Sequence, residues 1–422
     1  MNTGSAHTLL PQTMPTATGV VQISLAQAEQ YAVTANRDLI TARRLVEGAQ
    51  ADSITAGQRP NSNFSINTTA INPSKGVGSG GLWDKATDTV FRVDQLFERG
   101  NKRDIRIASA DKNIEASHAE LADTVRRTQN AVAAAYFDLL LAQGKVSILR
   151  ENADLYQRSL DAAEKRLRAG DIAPTEVTRI RVDALRADND ARQAKTDLLR
   201  AQLGLAYLTG MEAVASSLHA SDPWPPSLQT IPAMGSIENW VEHRADVKAA
   251  HARILVADQN RALARSQRTR DVSVGVQYEH YPPDGRNTYG FGVSIPLFTS
   301  HNFEGEIRRA EVDMAAAEDA YQKIKAQAYA DITQAHSDLV ATNARARRYR
   351  DEILGQARKA ADAAEFAYQN GALGVTDLLD ARRTLKATWI ESEGAQAGYA
   401  KALAFWKNAV KEYTENETNV SP

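Results

Sequence analysis

The chain is one unit written twice. Gly170 in "KRLRAGDIAPTEVTRIRVDAL" and Gly371 in "FAYQNGALGVTDLLDARRTL" stand 201 positions apart. Each follows an Ala-Ala-Glu lead-in and precedes a Thr plus an acid. Phe97 in "QLFERG" and Phe298 in "PLFTSH" repeat that spacing, and "YFDLLLAQ" from Tyr136 nearly repeats it with "HSDLVATN" from His336. "NRDLITARRLVEGAQAD" from Asn36 returns as "RADVKAAHARILVADQN" from Arg244 at a slightly larger offset, the difference falling between Pro73–Ala86 and Tyr281–Asn287. A duplication of this length means that whatever one copy builds, the other must build again. The expected division is a polar arm (1–23), a first repeat (24–220), the Pro-rich connector "SDPWPPSLQTIPAMGS" (221–236), a second repeat (237–410) and a polar tail (411–422).

Within each repeat the hydrophobic period changes in the same order. A helix is expected over about 24–58, with Ser24 as N-cap, and over about 237–268. Two runs of period-2 alternation follow, the pattern of half-buried strands. In the second repeat Val272, Val274, Val276 and Tyr278 share one face, as do Tyr289, Phe291, Val293 and Ile295. Glycine, serine and glutamine (Ser273, Gln277, Gly290, Gly292, Ser294) fill the other face. In the first repeat Phe64 and Ile66 match Phe91 and Val93, with Arg92 and Asp94 opposite. The hairpins are expected over 63–95, with the Gly-rich loop "NPSKGVGSGG", and over 272–295, turning at "PPDG".

Each hairpin leads into a single long helix, about 103–168 and 303–369, roughly 100 Å at ~1.5 Å per residue. A glycine turn (169–174 and 370–375) and a helix of half that length complete the repeat.

Composition removes several classes of function. Lys+Arg 50 against Asp+Glu 52 leaves a net charge of −2, so nucleic acid has no basic field to bind. The absence of cysteine excludes disulfides, thiol catalysis and Cys-ligated zinc. The eight histidines are scattered without metal-ligand spacing, and no nucleophile elbow or phosphate loop is present. No catalytic residue, metal site or cofactor is expected. No apolar run reaches the ~18–20 residues of a membrane-spanning helix. The start "MNTGSAHTLLPQTMPTATG" lacks a signal-peptide pattern and reads as a mobile extended arm.

Four strands with one apolar face cannot close a barrel, for which about eight are needed. An open sheet would expose two edges as well as that face. Three copies would supply twelve strands, an antiparallel barrel of the kind that spans bacterial outer membranes. The Ala-rich, polar helices would stay outside the lipid.

On the duplicated helix–hairpin–long helix order, "VSIPLF" (Val293–Phe298) and "NGALGVTDLLDARRTL" (Asn370–Leu385), the chain resembles the TolC-like outer-membrane efflux factors over about 24–410. "FERGNKR" (Phe97–Arg103) and "VSIPLFTSHNFEGEIRRAEV" (Val293–Val312) are most similar to the cobalt–zinc–cadmium resistance branch. The resemblance implies an α+β membrane protein: a homotrimer with a 12-stranded outer-membrane β-barrel, four strands per chain, continued by a long α-helical periplasmic barrel. It implies a passive exit duct that meets a periplasmic adaptor protein and an inner-membrane RND-type pump, with heavy-metal cations as cargo. Organic solutes are the alternative cargo, and a periplasmic coiled-coil scaffold is the alternative of a different class.

The resemblance also assigns residues. Val272, Val274, Val276, Tyr278, Tyr289, Phe291, Val293, Ile295, Phe64, Ile66, Phe91 and Val93 become the lipid face of the barrel. Asp377 and Asp380, three apart on one helix face, become an acidic ring at the periplasmic mouth. Ordinary helix-start electrostatics account for Asp377 equally well. Glu176 and Tyr368 become part of the closing network, in which Leu373 stands where the family has an arginine. The turns Gly170, Asp171, Ile172, Ala173 and Gly371, Ala372, Leu373, Gly374 become adaptor-docking tips, with Ile172, Ala173, Ala372 and Leu373 as their exposed apolar residues.

Overall fold

A computed structural model describes residues 19–74, 76–281 and 286–411. The arm up to residue 18, the "PPDG" turn (282–285) and the tail from residue 412 lie outside the described residues. The chain divides into two compact units, and each takes segments from both repeats. Unit 1 comprises residues 1–43, 120–247 and 325–422; unit 2 comprises 44–119 and 248–324.

The helices expected to be continuous before the hairpins are broken, at the same place in both copies. The first is α1 (Leu25–Ala35) and α2 (Arg37–Ala56), parted at Asn36. Ser24 caps α1 as expected, its hydroxyl accepting from the Gln27 N–H while the Gln27 side chain accepts from the Ser24 N–H. Asn36 then leaves helical geometry and becomes a second cap. Its Oδ1 accepts from the N–H groups of Asp38 and Leu39 at 3.0 and 3.3 Å, and its Nδ2 donates to the Leu208 carbonyl at 3.1 Å. Those bonds replace the helical ones that a break forfeits.

The second-repeat helix is parted into α5 (Ile237–His243) and α6 (Ala245–Ser266) at Arg244, the position matching Asn36. The buried Arg244 guanidinium donates to Asp246 at 2.7 and 2.8 Å and to Asp331 at 2.7 Å. Burial pushes the Asp246 carboxyl up, but the Arg244 fork outweighs it and holds the group below its ordinary range.

After the hairpins the two copies differ. α3 (Lys102–Ala169) is one uninterrupted helix, as expected. Its counterpart is three pieces: α7 (Glu304–Arg348), a π-helical turn (Tyr349–Ile353) and α8 (Leu354–Gln369). The π turn admits one extra residue per turn and re-aims the side chains around it. Here Arg350 bonds Asp351 and the Ser227 hydroxyl, and the Tyr349 hydroxyl donates to Glu391. α3 also contains one window long and apolar enough to cross a membrane by composition, contrary to the sequence expectation; 39% of it is buried. The repeats close with α4 (Pro174–Thr209) and α9 (Val375–Val410).

Unit 1 is organised around the parallel pair β1 (Val21–Ile23) and β4 (Leu218–Ala220), which ties the two ends of the first repeat together. Tyr136 from α3 is fully buried beneath it, with Ile23, Val132, Leu139, Leu205 and Leu218. Its hydroxyl donates to the Ile23 carbonyl and accepts from the Asp222 N–H, and burial pushes its pKa up to about 12.

The connector is held down along its length. Trp224 donates to Glu393, Tyr399 donates to the Pro226 carbonyl, and the Asn343 amide makes two bonds with the backbone of Leu228. A second core cluster joins Tyr156, Leu160 and Ala163 to Val177, Ile180, Val375 and Leu379 beneath the two glycine turns.

Unit 2 holds a four-stranded antiparallel sheet of β2 (Asn63–Thr69), β3 (Asp88–Phe97), β5 (Val272–Tyr281) and β6 (Arg286–Ser294), in that order. β3 and β5 are paired, so the two hairpins form one surface. The rows Phe64–Val93–Val276–Phe291 and Ile66–Phe91–Tyr278–Tyr289 run straight across it. β2 and β6 are its two edges.

Candidate functional site

The two glycine turns form one structural site in unit 1. Gly170 and Gly371 adopt φ of 82° and 73°, the left-handed geometry that ends α3 and α8 without the strain a side chain would bring. Pro174 opens α4, where a missing N–H costs nothing. Gly374 caps α9 and leaves Asp377 in its first turn.

Asp377 and Asp380 are both exposed. Asp377 has no side-chain partner among the described residues. Asp380 accepts from Arg383 at 3.1 Å. Glu176, half-buried in the first turn of α4, makes no side-chain bond among the described residues.

Tyr368 accepts a hydrogen bond from Arg166 at 3.3 Å, and the same guanidinium lies 5.7 Å from the centre of its ring. Leu373, in the place of the arginine the resemblance implied, is half-buried. Of the four apolar tip residues expected on the surface, Ala173 and Ala372 are exposed. Ile172 is instead turned inward against the Tyr156–Val177 cluster, because a branched side chain at the turn can still reach that core.

Sequence reasoning missed the ion pairs beneath the turns. Glu164 bonds Arg181 at 2.7 Å in the first copy, and Glu365 lies 3.2 Å from Arg382 in the second. Both residues of the second pair stand 201 positions after those of the first. Arg382 also donates to the Ser159 hydroxyl of α3 at 2.7 Å. Beside it one Nη of Arg383 donates to both oxygens of the buried Asp183 carboxylate in α4, at 2.7 and 2.8 Å. Arg179 of α4 donates to Thr376 of α9 at 3.1 Å. Burial pushes the Tyr156 hydroxyl's pKa up, and the charge of Asp183 adds to the shift. The four helix ends are thus cross-linked by guanidinium groups, with the carboxylates of Asp377 and Glu176 left over. Among the described residues no group of three or more His, Asp or Glu stands close enough to hold a metal ion.

The sheet of unit 2 is a second surface with functional character. Its register puts eleven of the twelve residues assigned to the lipid face on one side. The twelfth, Ile295, lies just past the end of β6, since pairing stops at Ser273–Ser294. This side is open: Tyr289 is 84% exposed and Phe291 72%.

The other side carries Arg92, which forks onto Asp94 at 2.7 and 2.8 Å and reaches Gln277 at 3.3 Å. Glycines opposite make the room, since a Cβ at Gly275 would stand 2.2 Å from the Asp94 carboxylate and one at Gly292 3.2 Å from the Arg92 guanidinium.

Residues 91–211 and 237–405 match the protein family described as "Outer membrane efflux protein". Among curated proteins the chain is similar to the cobalt-zinc-cadmium resistance protein CzcC of Cupriavidus metallidurans, with 28% identity covering 68% of this chain and 69% of the relative. It is also similar to the pyoverdine export outer membrane protein OpmQ of Pseudomonas putida, with 26% identity covering 86% of this chain and 80% of the relative. Among solved structures it superposes on the CmeC outer membrane channel of Campylobacter jejuni with a TM-score of 0.79 and 16% identity, over 99% of this chain and 96% of that one.

Proposed function

The chain belongs to the outer membrane efflux protein family, and from that premise we propose that three copies of it form a passive exit duct for heavy-metal cations. It is an outer-membrane efflux protein with a large periplasmic helical portion. The observation that carries the duct is the sheet: one exposed apolar face, one polar face, and two edge strands that pair on a single side among the described residues. Three such sheets joined edge to edge give twelve strands, satisfy every edge and turn the Arg92 side toward a wet lumen. A periplasmic adaptor docks at the glycine turns, and an inner-membrane pump of the RND type supplies the energy.

The cargo reading rests on Asp377 and Asp380, which in threefold symmetry give six carboxylates around one aperture, and on the likeness to a cobalt-zinc-cadmium resistance protein. The likeness to a pyoverdine exporter supports an organic solute as the second reading. Planar-bilayer recordings separate the two. Asp377→Asn/Asp380→Asn is expected to lower cation-over-anion selectivity several-fold and to relieve block by divalent metal ions. Selectivity and block equal to those of the unmodified channel would remove the acidic ring and leave the organic-solute duct.

A further inference from the structure

The apolar face of the sheet does not fade out at its helix-connected end; it runs into arginine. The last pair on that face there is Phe97 of β3 opposite Val272 of β5. Two residues beyond that pair, just outside the strands, stand Arg99 and Arg270, which line one hollow. Two guanidinium groups in one hollow repel, and neither residue has a carboxylate partner among the described residues.

The backbone is built to keep them there. Gly100, at φ 73°, lets the turn after β3 press so close that a Cβ on it would stand 2.6 Å from the Thr269 side chain. Lys102 anchors the same spot, donating to the Thr269 carbonyl at 2.9 Å and to both carboxylate oxygens of Asp271 at 2.8 Å. Asp271 also accepts from the Arg99 N–H at 2.8 Å, so this acid is used up by Lys102 and the backbone.

Arg268 adds a third guanidinium, its Nε donating to the Asn302 carbonyl at 3.2 Å. The Arg270 guanidinium lies 5.3 Å from the centre of the Phe298 ring. The three arginines line an open hollow of about 600 Å³ with Glu304 as the acid on its rim, a surplus of two positive charges. Directly beside it the surface is bare hydrocarbon: Leu297 is 74% exposed and Phe97 54%. An anion with a long apolar tail matches both halves of this surface, and a free anion matches only one.

The geometry points to a binding site for the phosphate headgroup of an anionic phospholipid in the periplasmic leaflet of the outer membrane. Arg99, Arg270 and Arg268 hold the phosphate, while the acyl chains lie along Phe97, Val272 and Leu297. The site sits at the helix-connected end of the two central strands, and Phe298, Asn302 and Glu304 enter it from the segment that follows β6. It anchors the depth of the sheet in the bilayer and does not depend on what passes through the lumen. The inference rests on the sheet facing lipid.

The test uses the full-length protein in detergent, with bound lipid counted by native mass spectrometry against dioleoyl phosphatidylglycerol, dioleoyl phosphatidylcholine and inorganic phosphate. The expected result is retention of phosphatidylglycerol but not phosphatidylcholine, with inorganic phosphate at the same concentration failing to displace it. Arg99→Gln/Arg270→Gln should weaken phosphatidylglycerol binding by about tenfold or more, while Arg192→Gln/Arg200→Gln on α4 leaves it unchanged. Equal retention of the two lipids by the unmodified protein would overturn the site without recourse to any variant. So would unaltered binding by the Arg99/Arg270 variant, and displacement by inorganic phosphate would reassign the arginines to a free anion. Insertion into phosphatidylcholine vesicles tells the two levels apart. A protein that inserts but shows no lipid preference contradicts this site alone, whereas one that never inserts contradicts the membrane reading beneath it.

Discussion

The two glycine turns carry the same ion pair in different surroundings. In the first copy Arg181 is 57% exposed beside Glu164; in the second Arg382 is 7% exposed beside Glu365 and also holds Ser159. Duplication therefore preserved the chemistry and changed its weight. A pair in water contributes about 0–1 kcal/mol, since solvent screens it and the side chains lose freedom. A buried guanidinium left without its partners costs several times more. The first copy uses the pair as surface decoration, and the second uses it to fasten α9 to α3 and α8. α9 is also the helix that presents Asp377 and Asp380.

The asymmetry between the two turns can be removed most directly at Arg382. Arg382→Ala should destabilise the second turn by about 3 kcal/mol, because the partly buried Glu365 and the Ser159 hydroxyl lose their partner. Hydrogen exchange in peptides covering 355–390 should then speed up by roughly a hundredfold, with little change in 155–190. Equal acceleration of both segments would show that the turns unfold together and that the asymmetry has no energetic meaning.

A smaller effect sharpens the comparison one layer away from the turns. Arg192 of the first copy lies on the surface, paired with Asp188, whereas Glu393 at the matching position is half-buried against Gly144 and accepts from Trp224. Burial raises the Glu393 pKa above its unfolded value, although the Trp224 bond opposes the shift. An acid raised in the folded state contributes stability that is fully present below the unfolded pKa and is lost as pH rises through the folded pKa. Local stability around Trp224 should therefore decline as pH rises past the ordinary carboxylate range. Glu393→Gln keeps an acceptor for the indole and should flatten that decline, which Trp224 fluorescence or local exchange would follow. Arg192→Gln should leave it in place; a profile unchanged by Glu393→Gln would mean that another group titrates there. The smallest effect belongs to Arg181→Ala, within about 0.5 kcal/mol of the unmodified chain by the same exchange measurement.

Much of this was legible in the residues because it depends on local pattern. The period-2 runs gave strand faces that the observed register aligns, and the two glycines had to mark turns because only positive φ ends both helices there. The breaks at Asn36 and Arg244 were not legible, since each is stabilised by partners far along the chain, the Leu208 carbonyl and Asp331. No local composition signals the π turn at Tyr349–Ile353, whose side chains meet the connector and α9. The burial of Arg382 depends on packing that a sequence period does not carry. Its existence was readable all the same: an acid six residues before each glycine and an arginine eleven after it recur in both copies. The Arg166–Tyr368 contact was not legible either, because its two partners stand 202 positions apart, in different repeats.

A duct requires the open four-stranded sheet to find two more copies in a membrane. The most direct measurement is the stoichiometry of the particle released from outer-membrane fractions. The prediction is that detergent is required for release and that the released particle contains three copies and conducts ions after reconstitution. A monomer recovered in the aqueous phase without detergent would contradict the duct.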